Sequence, residues 1–272
     1  MRIQGTEGLQ RGYIVPIGGA EEKIKKPLIL QKFAELCGGK NARLAIIPTA
    51  SKLKETAQHY IDIFRDIGVD HCVGLPIEER ADSELEDYLR EIKEASGIFV
   101  TGGQQLRLST VMGGTAVAQM IRRRNADGVH FAGTSAGAAF IPEHMIAGGK
   151  TSPTPREGGV IFAPGLGLTN RIVVDQHFRQ RDRLGRLLSA VAYNPFASGI
   201  GIDENTAAFI DPDGMLEVVG SGAITVIDPS ELSHSSMGSK RKGTPINLTN
   251  LRLHLLTRGA KYNVNTRQVF LE

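Results

Sequence analysis

Gly128-Val129-His130-Phe131-Ala132-Gly133-Thr134-Ser135-Ala136-Gly137-Ala138-Ala139-Phe140-Ile141 carries an apolar strand into a helix through a turn of small residues. Residues 128–132 read as a short buried strand, and residues 138–141 are small or apolar. Between them stands Gly133-Thr134-Ser135-Ala136-Gly137, a G-x-S-x-G sequence in the strand–turn–helix context of a nucleophile elbow. The turn is so sharp that only glycines fit beside the serine. Its strained backbone pushes the Ser135 hydroxyl out at the tip of the sheet. The first N–H groups of the following helix then face the place where an oxyanion would form.

Working outward, residues 12–17, 43–48, 72–77 and 97–100 are further apolar runs. The first ends in Gly18-Gly19 and the last in Thr101-Gly102-Gly103. Residues 27–36, 54–67, 83–95 and 106–123 lie between or after them. Tyr60, Ile61, Phe64 and Ile67 recur at helical spacing, as do Leu85, Tyr88, Leu89 and Ile92. Gly113-Gly114 weakens the middle of the last helix. Strands alternating with helices, and apolar nearly throughout, predict a mostly parallel, doubly wound α/β sheet covered on both faces. Ligands of such sheets bind beyond the carboxyl ends of the strands, where the glycine turns after Ile17, Val100 and Ala132 lie.

The second half differs. Residues 171–174 and 199–202 are short apolar runs that end in Asp175-Gln176-His177 and Asp203-Glu204. A helix is predicted over 183–191 between them. From Ala207 the pattern is β-rich: 207–210, a turn at 211–214, 215–219 and 223–227. Residues 233–244 are polar, basic and glycine-bearing, and are predicted as a mobile loop. Residues 251–256 and 264–271 read as a closing hairpin around Arg258-Gly259. With no repeat and no linker, the prediction is one catalytic domain over 1–272, its parallel sheet extended by antiparallel strands at the C-terminus.

A serine hydroxyl needs a base, and the base needs an orienting acid. Of the seven histidines, His177 alone follows directly from an apolar strand at the carboxyl-end rim. His59 and His71 are placed as surface or core groups, His130 points away from the serine on a regular elbow strand, and His144 follows the elbow helix closely. Asp203 and Glu204 close the next run, and neighbours on a strand face opposite ways, so only one can point at His177. The residues alone do not choose between them. An alternative acid-before-histidine order would use Asp203 with His234 or His254. It is disfavoured because His234 falls in the polar loop and His254 inside the predicted hairpin. Arg179, Arg181, Arg183 and Arg186 crowd around His177; guanidinium forks suit carboxylates, so an acidic substrate is favoured. Gln104, Gln105 and the backbone of Gly102 and Gly103 sit at a neighbouring strand end, placed to supply an oxyanion donor and side-chain bonds to a peptide.

Composition sets outer bounds. The charges nearly balance, 32 Lys+Arg against 29 Asp+Glu, which gives no footing for a nucleic-acid partner. No apolar run approaches a membrane span. Residues 1–11 have no apolar core of a signal peptide. Cys37 and Cys72 have no metal-site spacing and read as buried small hydrophobes of a cytoplasmic protein.

Taken in order, Phe131-Ala132-Gly133-Thr134-Ser135-Ala136-Gly137-Ala138, Thr101-Gly102-Gly103-Gln104-Gln105-Leu106, Asp175-Gln176-His177-Phe178 with Arg181, Arg183, Gly185 and Arg186, and Gly201-Ile202-Asp203-Glu204-Asn205-Thr206-Ala207 resemble the cyanophycinases. These are a serine peptidase family that also contains α-aspartyl dipeptidase. The resemblance covers residues 14–208, and no diagnostic motif appears beyond Asp211. It implies a flavodoxin-like sandwich related to class I glutamine amidotransferases, usually a homodimer, with no metal or organic cofactor. It implies Ser135, His177 and Glu204 as the catalytic set, and so selects Glu204 over Asp203. It places the substrate pocket on Gln104, Asp175, Gln176, Arg181, Arg183 and Arg186, with the arginines on backbone carboxylates and Asp175 toward a substrate guanidinium. The oxyanion amides fall near Gly103 and Ala136. The implied reaction is exopeptidase release of β-Asp-Arg from cyanophycin, a poly-aspartate carrying arginine on each side-chain carboxylate. A dipeptidase acting on short Asp-X peptides, and a relative that binds without catalysis, are the alternatives.

Overall fold

The computed structural model describes residues 10–239 and 241–271. Most of the segment read as free of a leader, residues 1–9, and Lys240 of the polar stretch lie outside them. In chain order the first elements are β1 (Ile14–Ile17), α1 (Leu28–Leu36), β2 (Arg43–Ile47), α2 (Thr56–Asp66), β3 (His71–Gly74), α3 (Glu86–Glu94) and β4 (Gly97–Val100). They are followed by α4 (Gln105–Met112), α5 (Ala116–Ala126), β5 (His130–Thr134) and α6 (Ala136–Phe140). The helix predicted over 106–123 is therefore two. Gly113-Gly114 ends the first, and Thr115 caps the second by accepting the Ala118 N–H.

Strands β3-β2-β4-β5-β1 are parallel and adjacent in that order. The period of two divides their side chains between two cores. Leu44, Ile46, Phe99 and Ala132 face Phe33 of α1 and Phe64 of α2. Ala45, Ile47, Ile98, Val100 and Phe131 face the other way, toward α3, α4, α5 and α6. Phe99 lies at the centre of the first core, with ring centroids 4.9 Å from Tyr60, 5.3 Å from Phe64 and 6.0 Å from Phe33. This is the flavodoxin-like arrangement.

The remaining strands are β6 (His144–Gly149), β7 (Val160–Pro164), β8 (Ile172–Gln176), β9 (Ser198–Ile202), β10 (Thr206–Ile210), β11 (Met215–Gly220) and β12 (Ile224–Asp228), with α7 (Leu184–Tyr193) between β8 and β9. The chain closes with β13 (His234–Ser235), β14 (Leu248–Thr249), β15 (Arg252–Leu256), β16 (Lys261–Asn263) and β17 (Gln268–Phe270). The antiparallel extension exists: β10, β11, β16 and β17 continue the main sheet from β1. Three expectations are corrected. First, β8 and β9 do not join the main sheet; they form a second one, in the order β15-β12-β9-β8. Second, β15 and β17 are not a hairpin: β15 pairs with β12, while β17 pairs with β16. Third, residues 233–239 of the predicted loop make ordered contacts. β13 pairs with β14, and the Gly238 N–H donates to Glu157 at 2.7 Å.

The second sheet lies between the main sheet's helices and α7. Val174, Ile200 and Val226 join the larger core, while Val173 and Ile227 meet Leu187, Ala190 and Val191 of α7. Two registers then bring the chain's chemistry together. Ile17 pairs with Thr134, setting Gly18 beside Ser135, and Gln176 pairs with Ile202, setting His177 beside Asp203. The turn 203–205 is where the chain leaves the second sheet at β9 and enters the main one at β10.

Candidate active site

Ser135 sits at φ 52° and ψ −110°, a backbone state that an L residue holds only where its surroundings impose it. The glycines are the imposing contacts. A Cβ on Gly133 would lie 2.4 Å from the Gly137 backbone, and one on Gly137 would lie 2.4 Å from the Val100 carbonyl oxygen. The Ser135 N–H donates to the Ile17 carbonyl at 2.9 Å, so β1 holds the turn from the side.

His177 emerges from β8 with a positive φ of 48°, its N–H donating to the Gly18 carbonyl at 2.9 Å. Its Nε2 is 2.9 Å from Ser135 Oγ, and its Nδ1 is 2.7 Å from Glu204 Oε1. The structure therefore joins the three residues into one hydrogen-bonded relay. Asp203 is elsewhere. Its buried carboxylate accepts the Ala223 and Arg179 N–H groups and pairs with the Arg179 guanidinium at 2.9 Å. His234 is exposed on β13, and His254 packs against the Tyr262 ring with centroids 5.9 Å apart, so neither reaches Ser135.

Burial holds the His177 imidazole below the usual histidine value. The hydrogen bond and charge of Glu204 oppose that shift, and the positive charges of Arg181 and Arg183 reinforce it. A neutral imidazole at neutral pH is the form that can accept a hydroxyl proton.

Around this relay the expected pocket residues divide into two groups. Gln104 and Arg181 are exposed, and Arg181 has no ion-pair partner among the described residues. Arg183 and Arg186 are buried around Asp175. Arg186 donates through Nε at 2.8 Å and also through Nη2, while Arg183 Nη1 reaches Asp175 Oδ1 at 3.2 Å. Arg183 also donates to the Gln176 backbone and side chain, and burial pushes its guanidinium down to about 10. Asp175, expected from the resemblance to face a substrate guanidinium, is buried here with both its oxygens accepting from this chain's own arginines. Gln176 in turn donates to Gln105 at 3.1 Å.

Gly102 packs on the elbow; a Cβ there would lie 3.2 Å from Ser135 Cβ. Gly103 follows and is exposed, and beside it opens a depression of about 580 Å³ floored by Ala50, Gln104, Gln105 and Ala147, with Lys52 on its rim. Ala136 is the first residue of α6, so its N–H has no partner within that helix. Among the described residues no cluster of His, Cys, Asp or Glu is arranged to hold a metal ion, and no helix is long and apolar enough to cross a membrane. Cys37 is buried and Cys72 half-buried, both as free thiols.

Sequence reasoning placed the turn after Ile17 at the ligand end of the sheet but gave its residues no part in the relay. Gly19 lies against the imidazole, so that a Cβ there would be 2.4 Å from His177 Cε1 and 2.5 Å from Nε2. Its carbonyl accepts the Asn205 N–H at 2.9 Å, and Asn205 Oδ1 accepts the Glu22 N–H at 2.9 Å. The available signal was the Gly18-Gly19 pair at the ligand end of a parallel strand.

The model of peptidase family S51 matches residues 14–218. A cyanophycinase of Synechococcus elongatus is 41% identical over 261 residues, covering 95% of this chain and 81% of that protein. A cyanophycinase of Trichormus variabilis is 43% identical over 258 residues, covering 94% of this chain and 87% of its own length. The crystal structure of a peptidase from an acI-B1 actinobacterium superposes with a TM-score of 0.67 at 21% identity, over 94% of this chain and 98% of that one.

Proposed function

This chain belongs to peptidase family S51, and from that premise we propose that it is a serine exopeptidase that cleaves cyanophycin and releases β-Asp-Arg dipeptides. The observation that carries the reading is the relay from Glu204 through His177 to the strained Ser135. In this proposal His177 Nε2 takes the Ser135 proton as Oγ attacks the scissile backbone carbonyl. Glu204 accepts the Nδ1–H, fixes the tautomer and offsets the imidazolium charge. The amides of Gly103 and Ala136 hold the oxyanion; one such donor is typically worth a factor of about 10²–10³ in turnover. The acyl–oxygen ester forms as His177 protonates the leaving amine. Water then enters, gives its proton to His177 and attacks the ester, and Ser135 leaves with that proton.

The substrate assignment gives Arg181, Lys52 and Gln104 the outer contacts with carboxylates and amides. Arg183 and Arg186, clamped by Asp175 and Gln176, form a fixed positive wall behind them. The same proposal includes a homodimer, which rests on the family resemblance, and a cytoplasmic location, which rests on composition and cysteine usage.

Digestion of purified cyanophycin, with the product identified by mass spectrometry, tests the substrate. Release of β-Asp-Arg from the polymer, with little cleavage of Asp-X dipeptides, is expected. Cleavage of the dipeptides alone would reassign the specificity. Gly19 offers a second check. Gly19→Ala would drive a methyl group into the imidazole and push it off Ser135. We expect kcat to fall about 10²-fold, the scale of an ångström-sized misplacement, in a chain that still unfolds cooperatively by circular dichroism. Unchanged kcat would mean that the imidazole need not stay where it is.

A further inference from the structure

The relay does not use Glu21, yet Glu21 is 3% exposed and carries a carboxylate into the protein beneath the elbow. Its Oε1 accepts the Tyr60 hydroxyl at 2.6 Å, and its Oε2 accepts the Thr134 hydroxyl at 2.6 Å. The ammonium of Lys23 lies 3.1 Å from Oε1. Desolvating a carboxylate is costly, and apolar residues of the same volume usually fill such a place at equal or better stability. Fold glue alone therefore gives little reason for an acid here.

Its two oxygens do what one apolar group cannot. Each accepts a short, charge-assisted hydroxyl bond, and each hydroxyl belongs to a different body. Tyr60 is on α2, packed into the aromatic core around Phe99. Thr134 is the last residue of β5, directly before Ser135. Glu21 itself lies two residues beyond Gly19, in the turn that accepts the N–H groups of His177 and Asn205. The carboxylate thus ties the rigid core, the elbow and the turn under the imidazole at a single point.

We propose that Glu21 is a positioning residue that fixes the Ser135–His177 separation by holding the Thr134 hydroxyl to the Gly18–Gly19 turn. This inference rests on the serine-peptidase reading above. It predicts an asymmetry that a purely structural role does not produce. Thr134→Val and Tyr60→Phe each remove one 2.6 Å bond to the same carboxylate, but only the first bond reaches the elbow.

The experiment measures kcat, KM, melting temperature and the rate of Ser135 phosphonylation by a small serine-directed reagent, for the parent chain and for Thr134→Val, Thr134→Ser and Tyr60→Phe. Thr134→Val is expected to lower kcat and the phosphonylation rate together by about 10- to 100-fold with KM little changed. Thr134→Ser, which keeps the hydroxyl, is expected to restore most of that loss. Tyr60→Phe is expected to lower the melting temperature about as much as Thr134→Val while kcat stays within about threefold of the parent. If Thr134→Val melts lower but keeps the parent's kcat and phosphonylation rate, Glu21 is fold glue and the inference is overturned. Equal losses of kcat in Thr134→Val and Tyr60→Phe overturn it too. A parent chain whose Ser135 does not react at all overturns the serine-peptidase reading, and this inference with it.

Discussion

Ser135→Ala is expected to lower kcat by about 10⁶, leaving only what oxyanion donors and substrate binding contribute over water. The fold should hardly notice. Ser135 occupies the N-cap of α6 but makes no capping hydrogen bond with its side chain, so alanine forfeits no cap. Alanine meets the same backbone strain at φ 52°, imposed by glycines that the substitution leaves in place. The lost contact is one hydrogen bond to His177. A melting temperature within about 2 °C of the parent is therefore expected. Thermal melts and polymer digestion on the same sample check both halves. Turnover within about tenfold of the parent would remove Ser135 from the chemistry.

Glu204→Gln is the second large effect, with kcat expected to fall by about 10²–10⁴. Glutamine can still accept the His177 Nδ1–H but brings no negative charge to offset the imidazolium. The substitution also moves the pH profile in a direction fixed by sign. Protonated imidazole cannot accept the serine proton, so kcat/KM falls as the pH drops through the His177 value. Burial already holds that value below the ordinary histidine level of about 6.5, and Glu204 is the group pulling it upward. Removing the charge lets it drop further. The acid limb of the parent should lie below the ordinary histidine range, and that of Glu204→Gln should lie lower still, on a much reduced plateau. A limb that stays put, with kcat intact, would make Glu204 a bystander to the 2.7 Å contact it makes.

How much of this was legible beforehand follows from where the information lies. Four of the five parallel strands are buried almost throughout and the edge strand β3 is half-buried, so their apolar runs identify them without help from partners. The elbow needs glycines at fixed offsets for steric reasons, which is why Ser135 could be found from 14 consecutive residues. The second sheet was not legible. The runs 251–256 and 264–271 do contain strands, β15 and β17, but an apolar run says nothing about which strand lies alongside. β15 pairs with β12 from well earlier in the chain, whereas β17 folds back on the adjacent β16, a short strand that fell in the gap between the two apolar runs. The β6–β7 hairpin was hidden for a different reason: Gly148 and Gly149 break its alternation, and its register shifts between Ile146 and Gly148.

The site divides the same way. Placing His177 at a strand end was sound, although that strand belongs to the other sheet. The choice between Asp203 and Glu204 turned on the geometry of a crossover turn, and the residues alone left it open. In the structure Asp203 serves Arg179 and the Ala223 amide, leaving Glu204 at the imidazole. Asp175 has partners that its position at a rim does not announce. An acid near a rim suggests a cationic ligand, but the cations it meets, Arg183 and Arg186, follow within 11 residues on the same chain. Glu21 gave no periodic signal, because its role comes from two hydroxyls 39 and 113 residues away.

The most direct test is peptide mapping after exposure to a phosphonylating serine reagent, with a known serine peptidase treated in parallel. One stoichiometric adduct is expected, on the peptide that contains Ser135, and it should vanish in His177→Ala. An unmodified Ser135 beside a fully modified control would contradict the claim that His177 and Glu204 make this hydroxyl a nucleophile.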